Sequence, residues 1–425
     1  MRRRDVFLLI PWLLGFFLVF DLYLLPSADL SPRLTDVLGV ALSLWLLWWF
    51  SSRGVHVGPL VALLIGSAIP LMWGLNAFST GDLPTATISV RWLLAIPWAF
   101  ALFYMARNPR QRTSVAWGLW WGCVANVGVL LLQYYGFEQL TLDLGLAAQD
   151  SLHSSFGSAD RLFGMHAHPN GSSAVVSLIV PIGLYLYYVS RTRAWTILVG
   201  LGLLMFTTQL TLTRSSLLVS SITILTVFVV FFVVHPSLRR SLRLVAVIAL
   251  VVLPTIYWFG LPGGAERWQE VRNIEASSSQ RLLSNAGALQ VSSESPLGRG
   301  VDAGKEAMRK EAGGTVTHNA FLHIAVVYGP LLAGLLTLWL LFLTLQLLRG
   351  LKTTWLLEAM LALHLFGLFF WEQYLTAPTF IILTSWLIAA SMTCMFASLR
   401  RRSPAGASPY YQHLDRQAFR ATSSR

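Results

Sequence analysis

Runs of about twenty apolar residues recur along most of this chain, and they limit its fold more than any other feature. In hydrocarbon no water pairs with a backbone N–H or C=O. A crossing segment must therefore satisfy its own hydrogen bonds, and it does so as a helix of roughly 17 to 25 residues. The runs fall at about 6–25, 34–50, 56–74, 86–106, 114–134, 170–189, 194–212, 215–234, 243–261, 319–348, 354–371 and 377–398. They predict an all-α, polytopic membrane protein with about twelve transmembrane helices. A mean hydropathy of +0.61 and a charged fraction of 12% agree, because no soluble domain needs so many long apolar runs. Only Thr211 to Ser216 separates the seventh and eighth runs, and one crossing fewer there inverts everything downstream.

A net charge of +12 invites a nucleic-acid reading, but the placement of the charge argues against it. Short loops rich in Lys and Arg stay on the cytoplasmic side of a membrane protein. Alternate loops here hold Arg2 to Arg4, Arg53, Arg107 with Arg110 and Arg112, Arg191 with Arg193, Arg239 with Arg240 and Arg243, Arg349 with Lys352, and Arg400 to Arg402. The stretch 135–160 carries Glu138, Asp143, Asp150 and Asp160 and no Lys or Arg. The rule therefore expects both termini in the cytoplasm and two long segments, 135–169 and 262–317, on the far side. The excess charge sets topology, and membrane lipid rather than nucleic acid is the expected partner. Met1-Arg2-Arg3-Arg4 and the apolar run behind it read as an uncleaved first span. The basic tail 399–425 reads as a disordered, lipid-facing cytoplasmic stretch. Cys123 and Cys394 lie in apolar runs and read as small packing residues rather than a disulfide.

Chemistry concentrates at the expected outer face. His318 stands in Thr317-His318-Asn319-Ala320, where a long polar segment meets an apolar run. An imidazole facing a polar chamber can move a proton near neutral pH. Arg161, Arg214, Arg281 and Arg299 fall on the same side, against the topological bias. Arg91 lies inside the fourth run, a few residues from its outer end. A guanidinium stays charged and offers a planar fork of donors that suits phosphate oxygens. Several converging on one chamber hold a diphosphate and stabilise charge as it departs. A histidine base beside them takes a proton from an incoming hydroxyl. The acids expected on this side form no Asp-x-Asp pair of the sort that holds a metal on a phosphate, so arginine replaces metal as the charge clamp, and no cofactor is expected.

Each of these residues has a plainer reading. An arginine beside a span commonly snorkels to the interface. Arg299, flanked by glycines, punctuates a turn. His166 and His168 read as surface-loop residues, and Asn170 as a helix cap. His323 and His364 lie within spans, as packing residues with a hydrogen bond. The seven basic and seven acidic side chains of 262–317 read as a solvated surface. That segment is too long for a plain connection and reads as a lid over the chamber, with Ser277-Ser278-Ser279 and Gly313-Gly314 as flexible joints.

Taken in order, these pieces resemble the O-antigen ligase family, whose superfamily includes O-antigen polymerases and some protein O-oligosaccharyltransferases. The resemblance rests on about twelve spans with a large outer loop before the antepenultimate one. It also rests on Arg161 followed by Gly164 and Pro169-Asn170, on Arg214-Ser215 at a span junction, and on Arg281 with Ser295-Pro296-Leu297-Gly298-Arg299-Gly300. His318-Asn319 and Gly329 complete it. It covers roughly residues 60 to 395. Leu332 departs from it, standing where members often carry a small or polar residue.

The resemblance implies a glycosyltransferase type C-like fold, with residues 1–398 as the ligase domain. It implies transfer of a polysaccharide from undecaprenyl diphosphate to a sugar hydroxyl of lipid A–core, at the periplasmic face of the bacterial inner membrane. Members act with inversion and without metal. His318 is then the base, or orients the acceptor. Arg161, Arg214 and Arg281 hold the diphosphate, with Asn319, Asn170 and Arg91 as further substrate-binding candidates. A polymerase of the same superfamily uses the same donor and a second polyprenyl-linked glycan as acceptor. A protein O-oligosaccharyltransferase is a further rival, as is a transporter or flippase of lipid-linked glycan. Transporters place their key charges near the bilayer midplane, whereas here they cluster toward one face.

Overall fold

The computed structural model describes residues 3–25, 32–53, 57–147, 162–166, 168–189, 195–211, 213, 215–234, 271–312, 317, 319–349, 355–371 and 377–402. Every regular element among them is an α-helix, apart from one isolated bridge between Tyr23 and Arg33. The first half holds α1 (Arg3–Val19), α2 (Leu34–Arg53), α3 (Val57–Thr80), α4 (Leu83–Ala106), α5 (Pro109–Tyr134) and the short α6 (Glu138–Asp143). There follow α7 (Pro169–Ser177), α8 (Ile179–Val189), α9 (Trp195–Thr211), α10 (Ser215–Val234), α11 (Val271–Glu294) and α12 (Val301–Ala312). The chain closes with α13 (Ala320–Tyr328), α14 (Pro330–Arg349), α15 (Leu356–Trp371) and α16 (Pro378–Arg402). Five helical stretches among the described residues are long and apolar enough to cross a bilayer: Leu34–Ser52, Leu83–Ala106, Pro109–Tyr134, Pro169–Val189 and Pro330–Leu347. Shorter apolar helices, among them Trp195–Thr211 and Leu356–Phe370, pack around them. The expected ninth span, 243–261, lies outside the described residues.

Small residues set the closest helix contact. On α5, Ser114, Gly118, Gly122 and Asn126 recur every four residues and so share one face. The Ser114 hydroxyl donates to the Leu8 carbonyl at 2.6 Å, and the Asn126 amide donates to the Val19 carbonyl at 2.9 Å. Between them a Cβ on Gly118 would overlap the Trp12 carbonyl and stand 2.8 Å from Phe16 N. One on Gly122 would stand 2.7 Å from the Phe16 carbonyl. The pairing rises together on both helices, so α1 and α5 run parallel with backbones in contact. Without a hydrophobic driving force between helices in lipid, such close approach and such hydrogen bonds are what hold them.

The tenth apolar run, read as one span, is two helices. Pro330 has no N–H to give Val326 O, and Gly329 adopts φ +96°, so the helix breaks between α13 and α14. Two backbone amides from the turn before α12 take the freed carbonyls: Arg299 N donates to Val326 O at 2.8 Å, and Gly300 N to Val327 O at 3.0 Å. The turn reaches this deep because Gly298, at φ +82°, has no side chain; a Cβ there would stand 2.6 Å from Gly329 N. The Trp73 indole of α3 donates to Leu297 O, and Val301 N donates to Thr85 Oγ1 of α4 at 2.7 Å. The Arg299 side chain turns back on its own segment, donating to Ser295 Oγ and Glu294 Oε2, each at 2.8 Å.

The core between these helices is apolar and aromatic, with Trp98, Trp120, Trp386, Phe100, Phe103, Phe369 and Phe380 fully buried. His364 sits within it. Its two ring nitrogens lie 2.8 Å from Ser177 Oγ and 3.0 Å from Thr223 Oγ1, which ties α15 to α7 and α10. Cys123 is buried and free.

The α1–α5 contact yields a paired test. Gly118→Ala meets backbone on the facing helix and destabilises the folded protein by roughly 1–3 kcal/mol. Gly128 lies on the same helix with open space beside it, so Gly128→Ala leaves stability unchanged or slightly raised. Thermal unfolding of both variants in detergent measures the difference.

Candidate functional site

One end of the bundle gathers the chain segments that carry most of the candidate residues. The turn 162–166 is clamped from three sides. Gln133, near the end of α5, holds Gly164 twice, accepting from its N–H at 2.8 Å and donating to its carbonyl at 3.0 Å. The Ser172 hydroxyl of α7 donates to the Phe163 carbonyl. Leu162 N donates to Leu210 O, in the last turn of α9, at 3.2 Å.

The cap of α7 is His168 rather than Asn170. Its Nδ1 accepts from Asn170 N at 3.2 Å, because Pro169 takes the first helical position and leaves His168 extended before it. Asn170 is thereby released to bridge helices: its Oδ1 accepts from the Thr213 hydroxyl at 3.1 Å, at the α9–α10 junction. The N-termini of α7 and α10 therefore stand side by side. Each turns the positive end of a helix dipole toward this point, which favours an anion.

Asn319 caps α13, its Oδ1 accepting from Phe321 N at 2.9 Å and Leu322 N at 3.2 Å. Phe321 in that first turn packs on Phe366, Phe369 and Phe370 of α15. Gly367 of the same turn of α15 rests on Val219 of α10. The capped start of α13 and the first turns of α10 thus lean on one stretch of α15.

A second polar cluster joins α1, α2 and α4 at this end. Asp21 is buried and accepts from Thr35 N at 3.0 Å. Arg33 stands 3.5 Å from the Asp21 carboxylate, donates to Tyr23 Oη at 3.0 Å and lies 4.4 Å over the Tyr23 ring. Asp36 accepts from Arg33 N at 3.0 Å and pairs with Arg91 at 3.4 Å. Arg91 is therefore placed beside an acid, which accounts for a charge inside an apolar run.

His166, read as a surface-loop residue, is buried against Gly171. Burial, reinforced by the nearby Arg33 charge, pushes its imidazole down to about 3, so the ring is neutral at physiological pH. The Gln133 clamp on Gly164 draws the loop inward, which a scan of polarity along the chain does not detect. Arg33 had a visible signal: it is a cation in the loop between the first two apolar runs, on the side otherwise poor in positive charge.

Among the predicted site residues, Arg91, Asn170 and Asn319 take the positions just given. Arg281 lies half-buried on α11. His318, Arg161 and Arg214 lie outside the described residues. Ser277-Ser278-Ser279, read as a joint, is helical inside α11, which has no Gly or Pro near it to break the turn; Gly313-Gly314 lies outside the described residues. Among the described residues no three His, Cys, Asp or Glu side chains stand where they could hold a metal ion. No family model matches the chain, and no curated protein matches it.

The buried imidazole makes stability depend on pH. Between its ordinary 6.5 and about 3, the unfolded chain binds a proton that folded His166 refuses. Its contribution is complete above pH 6.5 and declines below it by about 1.4 kcal/mol per pH unit. His166→Gln removes that slope. Thermal midpoints of both proteins at pH 7 and pH 5 test this: the wild type loses more on acidification than the variant.

Proposed function

We propose that the chain is a membrane glycosyltransferase of the O-antigen ligase kind, a bundle of about twelve spans whose polar end faces the periplasm. It moves a polysaccharide from undecaprenyl diphosphate to a hydroxyl of lipid A–core. The observation that carries this reading is the abutment of α7 and α10. Leu162 is bonded to Leu210, and Asn170 to Thr213, so the described neighbours of Arg161 and Arg214 belong to one polar locus with two helix N-termini in it. Such a locus, at the positive ends of two helices, suits a diphosphate. Arg161, Arg214 and Arg281 supply the guanidinium forks, and Asn319 fixes the helix start next to His318.

The chemistry is a single displacement. The acceptor oxygen attacks the anomeric carbon while the bond from that carbon to the diphosphate oxygen breaks, inverting the centre. The hydroxyl proton passes to His318, and the electron pair leaves with undecaprenyl diphosphate, whose growing charge the arginines stabilise. No covalent sugar–enzyme intermediate is required.

A purified protein, lipid-linked donor and lipid A–core together in detergent test this. Product forms without compartments to move between, which a pure transporter does not achieve. It forms on lipid A–core rather than on a second polyprenyl-linked glycan, which a polymerase prefers. His318→Ala lowers the rate by about 10²–10⁴ with donor binding retained. Wild-type turnover in that variant removes the base assignment. Arg214→Lys fails despite keeping its charge, because the fork geometry is lost. Activity persists in EDTA, and a strict need for added divalent ion overturns the arginine clamp.

A further inference from the structure

The two helices of the 271–312 segment present opposite kinds of surface. On α12 the exposed side is charged: Asp302, Lys305, Glu306, Lys310 and Glu311 all face outward, with Lys305 paired to Asp302 at 3.7 Å and Lys310 to Glu306 at 3.6 Å. That is a surface made for water. On α11 the exposed positions from Ser279 to Ser293 carry no charge among the described side chains. Leu282, Leu283 and Leu289 are 71%, 64% and 59% exposed, and Leu282, Ala286 and Leu289 fall on one stripe at helical spacing. The opposite face of α11 is already used: Ala288 and Val291 pack on Ala307 and Met308 of α12 and on Leu322 and Val326 of α13.

The uncharged stripe leads along the chain to the surface of the bundle. Beyond Glu294 the chain enters the turn whose Leu297 is exposed and whose backbone lies against the Gly329 break. Leu331 and Leu338 carry the exposed apolar surface onward along α14, a helix apolar and long enough to span a bilayer. On the other side Trp73 ties the same turn to α3, which exposes Met72, Leu75 and Phe78. Between the stripe and Leu297 stands one exposed ion pair, Glu294 with Arg299, whose charged heads suit the headgroup level while the leucines on either side suit the acyl boundary.

We propose that α11 is an interfacial anchor. Its Leu282–Leu289 stripe lies in the headgroup–acyl boundary of the bilayer that α14 crosses, while α12 stands in water above it. The occupant of the stripe is membrane lipid. The anchor holds the 271–312 segment at a set depth, and with it Arg281, which directly precedes Leu282. It needs only the membrane placement of α14 and is independent of the transfer reaction.

Nitroxide labels on the full chain, in a Cys123→Ala, Cys394→Ala background reconstituted into phosphatidylethanolamine–phosphatidylglycerol vesicles, test the anchor. Labels at Leu282→Cys and Leu289→Cys collide more with oxygen than with a water-soluble nickel chelate, and a label at Lys305→Cys shows the reverse. Ala286→Cys, at a small exposed residue on the stripe, provides the same reading if a leucine variant fails to reconstitute. Nickel accessibility at the stripe equal to that at Lys305 overturns the proposal, because the face is then in water. Low accessibility to both reagents also overturns it, because a second copy or another protein then covers the stripe. Neither readout depends on catalytic activity, so failure of the anchor is distinguishable from failure of the transferase reading.

Discussion

A helix that stops inside an apolar environment leaves carbonyls that no solvent can take, and the architecture around Gly329 is organised by that constraint. Pro330 cannot donate to Val326 O, so the Arg299 and Gly300 amides donate to Val326 and Val327 instead. Once those bonds exist, much else is set. Gly298 must lack a side chain to let the turn in. Leu297 comes within reach of Trp73, and Val301 within reach of Thr85. The 271–312 segment is thereby fastened to the bundle at its middle, and α13 becomes a short helix whose capped start belongs to the polar end.

Charge is handled by the same logic of partners. At the polar end Asp21, Arg33, Asp36 and Arg91 alternate in sign from the end of α1 through the start of α2 to α4, with the Arg33 backbone N–H donating to Asp36. At the opposite end of the bundle Arg112 is buried too. It donates to Ala106 O at 2.7 Å, stands 4.0 Å from Glu358 and lies 5.6 Å over the Trp355 ring. Between these ends the helices are joined by small residues, aromatic packing and the His364 hydrogen bonds. A bundle with its ionic groups collected at two levels and an apolar middle matches the dielectric profile of a membrane.

The helices themselves were legible because length and hydropathy are local properties. The runs at 34–50, 86–106, 114–134 and 170–189 correspond to α2, α4, α5 and α7 with α8. The break in the tenth run had a local signal, Gly329-Pro330, but its consequence did not: which amides would fill the gap depends on the turn at Arg299 and Gly300, in another part of the chain. The Ser114, Gly118, Gly122 and Asn126 stripe was also present in the letters, as small and polar residues every four positions. Its partner on α1 was not. The reading of His166 as a surface residue failed because its burial comes from Gln133 and Ser172, which sit in other elements.

What the amino-acid order determined by itself is where helices form, where they must end and which segments carry cations and histidine, since backbone self-satisfaction in lipid leaves little choice once a run is apolar. Tertiary structure decided which of those residues meet. It moved the α7 cap to His168 and turned Asn170 toward Thr213. It paired Arg91 with Asp36, and it separated a charged face on α12 from an uncharged one on α11. These outcomes rest on contacts between segments far apart in the chain, and such contacts depend on the depth and rotation of each helix against its neighbours, which hydropathy along a single segment does not encode.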